Sequence, residues 1–291
     1  MRAYAFNLIL LAACVYGVAY LTHPHLFIEV ETQQTDCGGP DTPCFVGDRR
    51  YHILLPEGDG PFPIFLFFHG SGGSGADAVT LQSLYKSVLS RGYALLAPTA
   101  EDIEYENGIT RANWVWEGRL GTRDDYAFVT NVLRDAAQRF PLDQSKTLVT
   151  GHSRGATFIW YYACANTDFR LTAYAPNGGT PFVGWNNACA GKAPRYNILH
   201  THGEYDEVVA FTGTPAGDFY ERFGAEAAVS DFAQRMRCRR STGGYKSIFT
   251  LTTWDRCLGP STATLATYKG GHEIRPQWAG LVIAWFEDLP K

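Results

Sequence analysis

The sequence predicts an α/β fold: a mostly parallel central sheet with helices on both faces and no large lid. Three observations predict it. Short apolar runs alternate with longer stretches of helical spacing, the pattern of strands joined by crossover helices. Several of those runs are apolar without alternation, as in strands buried on both faces. No linker-like stretch divides residues 45–290, so this length reads as one domain.

The elements follow in chain order. "RYHILL" (50–55) reads as a strand and "PIFLFF" (63–68) as a central buried one. Residues 76–91 carry helical spacing and stop at Arg91-Gly92, and "YALLAP" (93–98) is a further buried strand. Asp124-Asp125 opens a helix to about Phe140, with acids where a helix N-terminus favours them. "KTLVT" (146–150) is a strand, followed by a helix from Ser153 to about Ala165. "LTAYA" (171–175) and "YNILHTH" (196–202) are strands, and 226–239 is a helix. "ATLATY" (263–268) is the last strand and "QWAGLVIAWFEDL" (277–289) the closing helix.

Of 291 residues 45% are hydrophobic, which excludes a disordered chain. The net charge of −4, without a basic cluster, speaks against a nucleic-acid partner. The N-terminus stands apart. From Ala3 to Leu21 only Asn7 is polar, and Arg2 precedes the run, so residues 1–19 read as an export signal peptide. Gly17-Val18-Ala19 offers a cleavage site. Leu11-Ala12-Ala13-Cys14 resembles a lipoprotein box, and an uncleaved anchor is the third alternative. Residues 20–44 are then a tether and entry loop, and 45–291 the folded domain. The chain is expected to be secreted or periplasmic, with any membrane attachment through its N-terminus alone.

Cysteine usage agrees with export. Setting Cys14 aside leaves Cys37, Cys44, Cys164, Cys189, Cys238 and Cys257, an even number that implies disulfides in an exported chain. Neighbours along the chain suggest 37–44, 164–189 and 238–257; six reduced core cysteines are the alternative. No spacing supports a metal site.

Functional groups of open parallel sheets collect at the carboxyl ends of the strands. One such end carries Gly151-His152-Ser153-Arg154-Gly155, entered by an apolar strand and left by a helix. That strand–turn–helix setting makes Ser153 a candidate nucleophile on a sharp elbow; the plainer reading is an N-cap serine. A second end carries "FHGSGGSG" (68–75), whose glycines let backbone reach a substrate. The N–H groups of Ser71 and Arg154 are the candidate donors to an oxyanion. A third carries "HTHGEYDEVV" (200–209), where Asp206 is the candidate acid, with Glu204 and Glu207 behind it. A fourth carries "YKGGHEIRP" (268–276), where His272 can take and return a proton. His69 and His202 precede glycines and read as backbone packing, and His152 is expected to diverge from Ser153 on the elbow. Trp114, Trp116 and Trp185 read as half-buried packing, with the lining of an acyl or aromatic pocket as the alternative. The order Ser153, Asp206, His272 is that of α/β-hydrolases.

With these residues in view, the chain resembles the esterase family of polyhydroxybutyrate depolymerases and feruloyl or acetylxylan esterases, which includes small exported lipoproteins. The resemblance covers about residues 37–289. It rests on "CFVGDRRYHILLPEG", "FHGSGGSG", "DDYAFV", "VTGHSRG", "HGEYDEVV", the Cys238–Cys257 spacing and "GGHEIRP". It implies the α/β-hydrolase fold, a Ser153–His272–Asp206 triad, no cofactor and a small-molecule or oligomeric ester as partner. Two departures stand out. Arg154 occupies a position that is small or an amide in many relatives, and Arg275 stands where many carry tryptophan. Both add a cation near the expected cleft, which makes Arg275 a candidate for binding substrate and gives Arg154 an alternative to simple pairing with an acid.

The expected function is therefore hydrolysis of carboxylic esters through an acyl-enzyme. A serine peptidase of the prolyl-peptidase type, and a non-catalytic hydrolase fold used for binding, are the alternatives.

Overall fold

The computed structural model describes residues 36–105, 107–116, 123–165, 171, 173–185, 196–214, 221–259 and 261–290. Twelve strands and six helices are formed there. In chain order they are β1 (Cys44–Val46), β2 (Arg49–Leu54), β3 (Phe62–Phe68), α1 (Gly75–Thr80), α2 (Gln82–Leu89), β4 (Ala94–Pro98), β5 (Asp102–Glu104) and β6 (Thr110–Ala112). Then come α3 (Asp125–Arg139), β7 (Leu142–His152), α4 (Arg154–Ala165), β8 (Ala173–Asn177) and β9 (Asn197–Gly203). The chain closes with α5 (Ala225–Arg235), β10 (Arg240–Lys246), β11 (Phe249–Asp255), β12 (Ala263–Tyr268) and α6 (Trp278–Glu287).

Ten strands make one sheet in the order β1-β2-β4-β3-β7-β8-β9-β12-β11-β10. The run β4-β3-β7-β8-β9-β12 is parallel throughout, and the two strands added at each edge pair antiparallel. The continuous apolar strands explain themselves once both faces are seen. Ile64, Leu66 and Phe68 of β3 point into one core with α3, α4 and α5. Phe65 and Phe67, the intervening residues, point into a second core with α1, α2 and α6. A strand buried on both sides has no polar face to alternate with.

Several elements depart from the sequence reading. The helix expected over 76–91 is two helices, because Leu81 takes an extended conformation (φ −71, ψ 97) between them. Both halves still present apolar residues, Val79 and Leu84 among them, to the same core, so the helical spacing survives the break. The helix expected to run to 239 stops at Arg235, and β10 and β11 follow as a hairpin that the sequence did not announce. Its strand β10 is polar and mostly exposed and holds Gly243-Gly244, so it lacks the apolar signal of the buried strands. The strand expected at 146–150 extends from Leu142 to His152, and the strand expected from 171 begins at Ala173. The small pair β5–β6 was not expected either.

Disulfides join Cys37 to Cys44 and Cys238 to Cys257, the latter across the base of the β10–β11 hairpin. Cys189 lies outside the described residues, as do the export signal and most of the tether. Among the described residues no helix is long and apolar enough to cross a membrane. Cys238–Cys257 closes a loop with a sequence separation of 19. Loops of about that size contribute ~3 kcal/mol by restricting the unfolded chain. Reducing agent is therefore expected to lower the Tm measured by circular dichroism. An unchanged melting curve with the thiols titrating as free would refute this contribution.

Candidate active site

The sheet gathers the expected residues at one edge. β7 ends at His152 and α4 begins at Arg154, which leaves Ser153 alone in the turn between them. Ser153 has φ 55, a left-handed conformation that a non-glycine residue adopts only where its surroundings enforce it. The enforcement is visible. Its N–H donates to the Asn177 carbonyl at 2.9 Å, and its carbonyl accepts from Thr157 N–H at 2.9 Å. Gly155 lets the turn close: a Cβ there would stand 2.2 Å from the Phe68 carbonyl oxygen and 2.6 Å from that of His69.

Ser153 Oγ lies 2.8 Å from His272 Nε2, and His272 Nδ1 lies 2.7 Å from Asp206 Oδ2. His272 comes from the loop between β12 and α6, and Asp206 from the turn after β9. Asp206 is buried, and its other oxygen, Oδ1, accepts the N–H groups of Val208 at 2.9 Å and Val209 at 2.8 Å. Burial alone would raise this carboxyl. The donors from His202, His272 and Val209 outweigh it and hold Asp206 well below the usual carboxylate range. The structure thus brings together, in hydrogen-bonding order, a hydroxyl, an imidazole and an ionised carboxylate.

Ser71 and Arg154 line a cleft of about 730 Å³ that contains Ser153. A Cβ on Gly70 would sit 3.2 Å from Ser153 Cβ, so the glycine loop runs directly over the hydroxyl. The N–H of Gly72 is engaged with the Ala112 carbonyl at 2.9 Å. The Ser71 hydroxyl accepts from Asn113 Nδ2 at 3.0 Å, and the same amide also donates to the Tyr105 hydroxyl. Asn113 is buried and lines the cleft, yet a lone loop asparagine carries no signal in the sequence.

The two arginines differ. The Arg154 guanidinium lies 4.6 Å from the centre of the Trp116 ring and borders the cleft, a cation–π placement. Arg275 lies 3.1 Å from Glu273. Arg222, unremarked in the sequence, borders the cleft, packed over Phe182 at 4.1 Å. Trp114, Trp116 and Trp185 are fully buried, as packing residues are.

Of the other histidines, His69 follows expectation, whereas His152 and His202, the latter 3.3 Å from Asp206 Oδ2, do not. His69 packs against backbone as expected, accepting from the Ala100 N–H at 2.9 Å. His152 does not diverge from the site: its ring lies 4.8 Å from that of His272, and its Nδ1 accepts from Asn177 Nδ2 at 3.0 Å. Its side chain thus packs beside the His272 ring rather than away from it. His69 and His152 are both pushed down to about 4, chiefly by burial. In the unfolded chain each would bind its proton near pH ~6.5, so their contribution to stability is complete above that value and is lost as pH falls towards about 4. The Tm is expected to fall between about pH 7 and about pH 4.5. A Tm flat across that interval would contradict the neutral, buried state of both rings.

Among the described residues no group of three histidine, cysteine, aspartate or glutamate side chains is arranged to hold a metal ion. No family model matches the chain. It is 24% identical over 250 residues to the probable feruloyl esterase C of Aspergillus flavus, covering 82% of each chain. Of solved structures, the acetyl xylan esterase from Aspergillus awamori superposes with a TM-score of 0.56 at 15% identity, over 89% of this chain and 98% of that one. An S-formylglutathione hydrolase from Agrobacterium tumefaciens gives 0.54 at 14% identity, over 90% and 95%. These likenesses show the α/β-hydrolase fold.

Proposed function

We propose that this chain, an α/β-hydrolase similar to feruloyl and acetylxylan esterases and a carboxylic ester hydrolase, works through a triad of Ser153, His272 and Asp206. The observation that carries the proposal is the unbroken hydrogen-bond sequence from Ser153 Oγ to His272 to Asp206, built on a nucleophile held at φ 55.

His272 Nε2 takes the proton as Ser153 Oγ attacks the ester carbonyl. Asp206 holds the Nδ1–H tautomer and stabilises the imidazolium that forms. The N–H groups of Ser71 and Arg154 receive the oxyanion; one such donor is worth roughly 3–4 kcal/mol in acyl transfer. The tetrahedral intermediate collapses, and the alcohol leaves with the proton from His272. Water then attacks the acyl-enzyme by the same route, releasing the acid and restoring Ser153. Arg154 and Arg222 beside the cleft favour esters that carry negative charge. Export belongs to the same reading, supported by the two disulfides and the apolar N-terminal run.

The test is turnover of a panel of esters, from p-nitrophenyl acetate to aromatic and anionic esters, beside prolyl peptide substrates. Ester turnover without peptide cleavage is expected. Peptide cleavage alone would favour a peptidase, and no turnover of either would favour a binding role for the fold. The kcat/KM for the esters is also expected to fall on acidification, because only neutral imidazole accepts the serine proton. A flat profile between about pH 8 and about pH 5 would remove His272 from this role.

A further inference from the structure

We propose that His202 is a positioning residue of this site, anchoring the Asp206 carboxylate as the end of a second hydrogen-bond chain that runs out of the core. The inference rests on the Ser153–His272–Asp206 reading. An ionised carboxylate offers about four acceptor positions. At Asp206 all are answered: Oδ1 by the N–H groups of Val208 and Val209, Oδ2 by His272 Nδ1 and by His202 Nε2 at 3.3 Å. His202 Nε2 also lies 2.8 Å from the Val209 carbonyl. That nitrogen faces only acceptors, so it carries a hydrogen, directed at the Val209 carbonyl with Asp206 Oδ2 close beside it.

The other side of the ring fixes the rest. His202 Nδ1 lies 2.9 Å from His200 Nε2, and both rings are fully buried. With His202 neutral, its Nδ1 accepts and His200 Nε2 donates. His200 Nδ1 is then a bare lone pair, and it is indeed buried with no partner. Protonating His202 would reverse this arrangement and leave a buried N–H on His200 with no acceptor, a costlier orphan. Burial pushes His200 far below the ordinary histidine range, in keeping with a neutral ring. The His202 ring is thereby held with its Nε2–H against the Val209 carbonyl and the Asp206 carboxylate. The titratable groups around it are His200 on its own strand, Asp206 on the next turn, His272 from the loop after β12 and His152 at the end of β7.

Two chains of donors therefore converge on one oxygen. The donor from His202 takes up part of the charge on Oδ2 and so moderates the pull of Asp206 on the imidazolium of His272. It also pins the turn that carries the carboxylate. Asparagine and glutamine divide these contacts, since the amide of asparagine stands where Nδ1 stood and that of glutamine where Nε2 stood. His202→Asn keeps a partner for His200 and loses the donor to Asp206, and His202→Gln does the opposite.

The experiment compares kcat, KM and the pH profile of kcat/KM for wild type, His202→Asn, His202→Gln and Ser153→Ala on p-nitrophenyl acetate, with melting curves for each. His202→Asn is expected to lower kcat about tenfold or more at little changed KM. It should also move the acid limb of kcat/KM up by about half a pH unit or more. His202→Gln is expected to leave the acid limb at the wild-type position. Folded variants that share one acid limb with wild type would overturn the proposal. An active Ser153→Ala would instead overturn the triad reading beneath it. Should His202→Asn not fold, histidine nitrogen shifts of the wild-type protein decide: an Nε2–H tautomer for His202 through the acid limb supports the proposal, and an Nδ1–H tautomer or a protonated ring overturns it.

Discussion

Ser153→Ala is expected to lower kcat for p-nitrophenyl acetate by about 10⁶-fold, with KM changed little. The size follows from the geometry. Ser153 Oγ is the hydroxyl in contact with His272 Nε2, and it sits beside the glycine loop that is to hold the oxyanion. Removing it leaves the general base with nothing to deprotonate but water. What remains is binding and oxyanion stabilisation, worth about 10³–10⁴ over the uncatalysed rate in comparable sites. Alanine keeps the Cβ at φ 55, so the strain of the turn is retained and the variant should fold like the wild type. Steady-state rates and melting curves measured together check this. A folded variant with more than about one hundredth of wild-type kcat would exclude Ser153 as nucleophile.

Asp206→Asn is expected to lower kcat by about 10⁴-fold near neutral pH. Oδ1 faces two backbone N–H groups, and Oδ2 faces His272 Nδ1 and His202 Nε2. An amide must place its NH₂ against one of these sets. Turned towards Val208 and Val209 it opposes two fixed donors, so it turns towards the histidines. His272 must then accept at Nδ1 and carry its proton on Nε2, where it points at Ser153 and cannot take a proton from it. Donors left unsatisfied in a buried site also cost about 1–3 kcal/mol of stability. A kcat within tenfold of wild type, in a variant of unchanged Tm, would show that the carboxylate does not set the tautomer.

The parts of this molecule that could be read in the sequence are those whose signal is local. β3 and β4 announce themselves because burial on two faces makes them apolar from end to end. Ser153, Asp206 and His272 each sit at a strand end next to glycine or a turn, so their placement followed once the strands were found. What stayed hidden depends on partners far away in the chain. The β10–β11 hairpin is held by pairing with β12 and by a disulfide, while the residues of β10 are mostly polar and exposed. Asn113 and Arg222 reach the cleft from segments without any motif. His152, expected to diverge from Ser153 on the elbow, instead sets its ring 4.8 Å from that of His272, a residue far away in the chain.

The parallel ladder has a consequence for how this protein can vary. Nucleophile, acid and base leave from β7, β9 and β12, with β8 between the first two. Hydrogen-bonded strands keep a spacing of about 4.8 Å whatever their side chains. The spacing of the strand ends from which the reacting groups leave is therefore inherited from the backbone, and the short segments after β9 and β12 carry Asp206 and His272 from there to Ser153. Much of the rim of the cleft, in contrast, is supplied by segments outside that ladder: Tyr105 and Asn113 on either side of β6, Phe182 after β8, and Arg222 before α5. Change in the rim can exchange one preferred ester for another while the machinery keeps its alignment, so that selectivity and chemical competence are free to evolve separately.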